Sequence, residues 1–213
     1  MSYVMTMISE GEHQRQDFKM RIDDARKIAR TLSAFANTDG GRLLIGVKDN
    51  GIPCGIDPEQ EMHMVEAAAK LFCRPAMNLE YTVWTAQNRQ ILEARVAPAA
   101  DRPVWASSEP DVWDAFRRDK DTNIKANHIQ VMVWQKKAEP MGEHFTYSEA
   151  EQQIFDLLKT APSAGFKKIS RVARLSGRRT EQVLAKLILW DLIEMHNESS
   201  GLRFALKKTP RQI

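Results

Sequence analysis

Guanidinium forks and carboxamides are the side chains that grip phosphates and read base edges. One stretch of this chain concentrates them. Arg171, Arg174, Arg178, Arg179, Thr180, Gln182 and Lys186 follow one another in the C-terminal third. The charge leans the same way. Residues 147–213 carry 12 Lys and Arg against 7 Asp and Glu, while residues 1–146 carry 19 against 21. A local surplus of cations suits a polyanion, although a solvated basic face gives the same count. The motifs of other chemistries are absent. There is no G-x-x-x-x-G-K-S/T phosphate loop, no G-x-S-x-G elbow and no H-E-x-x-H pair. His13, His63, His128, His144 and His196 are scattered, and Cys54 and Cys73 form no C-x-x-C pair. That spacing makes neither a zinc site nor a disulfide framework.

The basic stretch needs elements to present it. Ser148 precedes Glu151 by three positions, a capping-box spacing. Ile154, Phe155, Leu157 and Leu158 then give a first helix an apolar face. A second, short helix is predicted over 167–175, a turn over 176–180 and a third helix over 181–192. Residues 193–196 and 202–206 read as a hairpin turned at 198–201. Helix, helix, turn, helix, hairpin resembles a winged helix-turn-helix. Its third helix would be the recognition element, opening with Arg178, Arg179, Thr180 and Gln182, where such proteins make base contacts. Leu187 and Trp190 continue the apolar face of that helix and are expected in the core. Winged helices also serve as docking or dimerisation modules, and fold alone does not choose between these uses.

Upstream, 213 residues with 43% apolar and 28% charged content make one large or two small domains of ordinary composition. The expected division is residues 1–137, a linker over 138–146, and 147–213. The linker is placed where Ala138-Glu139-Pro140-Met141-Gly142-Glu143-His144 breaks the pattern. In the first domain Asp23 or Asp24 can cap a helix. Ala25, Ile28, Ala29, Leu32, Phe35 and Ala36 form its apolar stripe. Asn37, Gly40 and Gly41 make a turn in which the glycine pair supplies positive φ. Leu43 to Val47, with Gly46 inside it, reads as a strand covered on both faces, and Asp49-Asn50-Gly51 as a reversing turn. Asp57-Pro58 opens a helix that Pro75 ends. Residues 79–85 and 90–97 read as a hairpin, 104–106 and 112–117 as strands, and 122–137 as a closing helix. The fold class is α/β (α+β) with one mixed sheet, followed by a small C-terminal domain. The charged first twenty residues hold no signal-peptide core, and no apolar run is long enough to span a bilayer, so the cytoplasm is the expected location.

The run from Ala34 to Gly51 also carries a resemblance. Asp17-Phe18-Lys19, then Ala34-Phe35-Ala36-Asn37-Thr38 with Gly40-Gly41, then the Gly46-Val47-Lys48-Asp49-Asn50-Gly51 turn, resemble the AlbA-type domain of Schlafen-like proteins. Arg102-Pro103-Val104-Trp105, then Asp114 to Arg118 with Thr122, resemble that family's downstream strands. Coverage runs from about Ser9 to Lys137. Some Schlafen proteins cleave RNA with three carboxylates and a divalent metal, so the resemblance implies a catalytic set of Glu12, Asp17 and Asp49 holding Mg²⁺ or Mn²⁺. Asp17 is one methylene shorter than the family's glutamate, and Lys48 stands where an acid is common. Members are often described as ATP-binding, yet residues 37–41 lack the lysine and hydroxyl of a nucleotide phosphate loop. The residues themselves read first as capping, surface and turn acids.

Two functions follow. The first is a DNA-binding transcriptional regulator with nucleic acid, DNA foremost, as partner, a homodimer among its possible assemblies and no cofactor. The second is a metal-dependent RNA endonuclease with an appended winged helix.

Overall fold

The computed structural model describes residues 2–137, 148–198 and 201–207. The chain divides into two compact units, Met1–Ala126 and Asn127–Ile213. The first unit is built around one helix. Asp24, the second of the two cap candidates, accepts from Arg26 N and Lys27 N and starts it. Ile28, Ala29 and Thr31 to Ala36 are all buried. A helix buried on so many sides has neighbours all round, and this one packs against strands of two separate sheets.

The elements of the unit, in chain order, are α1 (Tyr3–Ser9), β1 (Gln16–Lys19), α2 (Ala25–Ala36), β2 (Gly41–Ile45), α3 (Pro58–Leu71), β3 (Cys73–Arg74), β4 (Glu80–Ala86), β5 (Arg89–Val96), β6 (Trp105–Glu109), β7 (Val112–Asp119) and β8 (Thr122–Lys125). The first sheet has the order β1-β2-β5-β4, with β1 parallel to β2 and the other pairs antiparallel. The second is β3-β6-β7-β8, antiparallel throughout. The first sheet is mixed, as expected. The expectation of a single sheet is corrected, because α2 separates the strands into two layers. The apolar run in β2 is covered on both faces. Leu43 and Ile45 join the α2 and α3 core, while Leu44 joins Val4, Met7, Ile8 and Phe18 on the α1 side.

Local signals place most boundaries. Asp57 caps α3, accepting from Glu59 N and Gln60 N, with Pro58 at its first position. The β4–β5 hairpin turns on Gln87 and Asn88, with φ of 50° and 58°. That is the left-handed pair a two-residue turn requires. The expected helix over 122–137 is replaced by strand β8 and a separate helix, α4 (His128–Lys137). The α4 residues Ile129 and Val133 are buried with the second unit's core.

The second unit continues with α5 (Glu149–Thr160), β9 (Ala164–Gly165), α6 (Phe166–Val172), α7 (Gly177–Leu189), β10 (Ile193–Glu198) and β11 (Gly201–Leu206). Its three-stranded sheet has the order β10-β11-β9. Ser148 and Glu151 form the capping box at the start of α5. Helix α7 starts at Gly177 rather than 181, because Ser176 caps it by accepting from Arg179 N. Residues 138–147 hold the expected linker and 199–200 the middle of the expected hairpin turn; both lie outside the described residues. Among the described residues no helix is long and apolar enough to cross a membrane. Cys54 and Cys73 are free thiols, and burial pushes Cys73 up to about 12, which keeps it protonated and inert.

Candidate functional site

The turn that carries the family-like signature is a structural bracket. Asn37 is buried at the C-terminus of α2. Its amide nitrogen donates to Val104 O at 2.8 Å and Phe116 O at 2.9 Å, and its carbonyl accepts from Val104 N at 2.7 Å. Ser33 Oγ donates to Val104 O and accepts from Phe116 N. Thr38 Oγ1 accepts from Arg118 N. One helix end thus satisfies open backbone groups of β7 and of Val104, the residue that leads into β6. Gly40 has φ of +69°, the conformation expected of it. Gly41 has an ordinary φ and is glycine for another reason: a Cβ there would sit 2.6 Å from the Phe35 ring. Gly46 and Gly51 both adopt positive φ around the β2 turn.

The three candidate carboxylates are placed differently from one another. Asp17 is buried on β1 and its Oδ1 accepts from Arg118 Nη2 at 3.0 Å. Lys19 Nζ stands 2.8 Å from its Oδ2. Arg118 is itself buried and donates to Gln16 O and Asn123 Oδ1, with its guanidinium 5.0 Å from the centre of the Phe35 ring. Glu12 Oε1 accepts from Phe18 N at 2.8 Å. Burial, and then the neighbouring Asp17, push the Glu12 carboxyl up, with the Phe18 N–H opposing them. Asp49 lies exposed in the turn after β2. Among the described residues no three His, Cys, Asp or Glu side chains gather closely enough to hold a metal ion. The donor set does not fit Mg²⁺ or Mn²⁺, since a guanidinium and an ammonium already occupy Asp17.

The basic set of the second unit is partly presented and partly spent. Arg171, Arg174, Arg178 and Arg179 are exposed on α6, the following turn and the first turn of α7. Lys167 and Lys168, which sequence reasoning did not single out, are exposed on α6 beside them. None of these six makes an ion pair among the described residues. Gln182 is half-buried and lines a groove of about 960 Å³ with Arg174, Arg179, Lys186, Glu149 and Gln153. One expected contact is corrected. Thr180 is fully buried, and its hydroxyl donates to Ser176 O at 2.9 Å, so it fastens the helix start. Lys186 lies 3.2 Å from Glu151 and 4.3 Å from the Trp190 ring centre, so its charge is used inside the unit. Burial pushes the Glu151 carboxyl up, but the Ser148 N–H and Lys186 together leave it below its ordinary value. Leu187 is core as expected, and Trp190 packs against that core.

The first unit thus combines a mixed sheet, a central helix closed by an Asn-Thr-x-Gly-Gly turn and a buried Asp17–Arg118 pair. The family described as Schlafen, AlbA_2 matches residues 12–127, more than half of the chain, and the chain belongs to that family. No curated protein matches it. Among solved structures, the DIP2311 protein from Corynebacterium diphtheriae shares 18% identity, with 91% of this chain and 34% of that one covered and a TM-score of 0.46. The chain thus spans about a third of that protein's length. The N-terminal domain of a RecG-related protein from Nitrosomonas europaea shares 23% identity over 60% of this chain and 97% of that domain, with a TM-score of 0.44.

Proposed function

We propose that this is a nucleic-acid-binding protein, specifically a DNA-binding transcriptional regulator whose second unit is a winged helix. Helix α7 would enter the major groove with Arg178 and Arg179 at its leading end, and the α6 cations would lie against the phosphates. One observation carries the reading. Six exposed cations, Lys167, Lys168, Arg171, Arg174, Arg178 and Arg179, crowd two consecutive helices and the turn between them without carboxylate partners among the described residues. Cations left unneutralised in one place suit a phosphate backbone. The nuclease alternative needs Asp17 free to hold a metal, and Arg118 and Lys19 engage it.

The test is fluorescence anisotropy with duplex DNA across a salt series. Each phosphate contact releases counterions, so affinity falls steeply as salt rises. Arg178→Ala with Arg179→Ala flattens the slope by roughly two units, one per contact. Both residues are exposed, so the melting temperature holds, with a change within about 0.5 kcal/mol. An unchanged slope removes these arginines from the interface. No duplex affinity even at low salt defeats the regulator reading and favours a protein-docking winged helix.

A further inference from the structure

The two edges of the first sheet are treated differently. At one edge, β1 is four residues long and its outward groups are occupied. Phe18 N donates to Glu12, and Gln16 O accepts from Arg118. At the other edge, β4 pairs with β5 over its whole length, without a bulge. Its sequence, Glu-Tyr-Thr-Val-Trp-Thr-Ala, has one charge, at its first residue, and no proline, glycine or lysine. Among the described residues, no hydrogen bond beyond the β5 ladder reaches its backbone. Proteins usually blunt such an edge with charge, proline or a bulge, because bare strand backbone recruits another strand.

The hairpin says which groups are free. A two-residue turn closes on a hydrogen-bonded pair, here Ala86 and Arg89, and bonded pairs alternate along the ladder. The N–H and C=O groups of Tyr81, Val83 and Thr85 therefore point outward. We infer that β4 is a self-association strand that pairs antiparallel with β4 of a second copy, about a two-fold axis at Val83. This register sets Tyr81 against Thr85 of the other copy and bonds every outward group. It also sets Glu80 beside the other copy's Ala86, whose ladder neighbour on the same face is Arg89. Glu80 and Arg89 make no ion pair among the described residues, and the two-fold brings them together twice across a small side chain. Val83 is 46% exposed, and Tyr3, 58% exposed, stacks on Trp84 at 5.5 Å between ring centres. The joint would cover both. This inference does not rest on DNA binding.

The measurement is mass in solution by light scattering across a dilution series of the full chain. The wild type is expected at twice its 24.3 kDa mass. Val83→Lys sets two ammonium groups against each other at the axis, and Val83→Pro removes an outward donor without touching the β5 ladder. Both variants are expected at the single-chain mass with circular dichroism unchanged. In a Cys54→Ser background, Val83→Cys should crosslink with a short bismaleimide, while Val112→Cys, on the second sheet, should not. A wild type that is monomeric throughout the series overturns the inference. So does a dimer that survives both Val83 variants, or equal crosslinking at the two cysteines.

Discussion

Asp17 can be a metal ligand or a counter-ion, and its surroundings choose. Its side chain is 6% exposed and that of Arg118 is 1% exposed. Removing one partner of a buried pair leaves an uncompensated charge, at a cost of roughly 3–5 kcal/mol. Asp17→Ala is therefore expected to lower the melting temperature steeply, which thermal denaturation reads directly. A variant that melts like the wild type would return Asp17 to the list of functional acids. Glu12 makes the complementary prediction. Its folded-state pKa is raised, by burial first and by Asp17 next, so its ionisation opposes folding. Its favourable contribution is full below the ordinary value of 4.5 and is lost as pH rises through the raised one. Glu12→Gln should thus gain on the wild type at neutral pH, and the advantage should fade as pH falls toward 4.5. Paired urea titrations at several pH values measure it, and a constant difference would reject the assignment.

At the scale of elements, Asn37 joins α2 to β7 and to Val104, which leads into β6. Asn37→Ala strands Val104 N and weakens the bonding of Phe116 O, at roughly 2–4 kcal/mol for two buried groups. Asn37→Asp is the sharper variant. It keeps the shape but turns an acceptor toward Val104 O and Phe116 O, where a donor stood, so at neutral pH it should melt no higher than the alanine variant. Equal stability of Asn37→Asp and the wild type would show that the bracket does not hold the layers. The same logic explains the signature Ala-Phe-Ala-Asn-Thr without any ligand. The small side chains let α2 fit between two sheets, and the polar ones satisfy strand ends.

For the whole molecule, the boundary matters most. Ile129 and Val133 of α4 are buried among the side chains of α5, α6 and α7. We propose that the second unit folds alone when it begins at Asn127, and loses stability when it begins at Tyr147. Two buried β-branched side chains are worth roughly 1.5–3 kcal/mol each, a large share of what a small unit has. Urea denaturation of residues 127–213 and 147–213 compares them. Equal midpoints would restore α4 to the first unit.

How much was legible follows from the range of the interactions. The caps at Asp24, Asp57 and Ser148, the β4–β5 turn, the apolar run of β2 and the cationic stretch around Arg178 were all readable. Each depends on residues within a few positions, and local chemistry is what a sequence displays. Helix α1, β9 and the start of α7 lay outside the reading, being short or set by a cap one turn earlier than the periodicity began. Tertiary structure alone decided the rest. Asp17 meets Arg118 from 101 positions away, and Asn37 meets Phe116 from 79. Thr180 looks like its exposed neighbours in one dimension, yet packing against Ser176 takes it out of solvent, and Lys186 is drawn into a pair with Glu151. Which face a side chain turns to, and which charge already has a partner, depends on what the fold brings beside it.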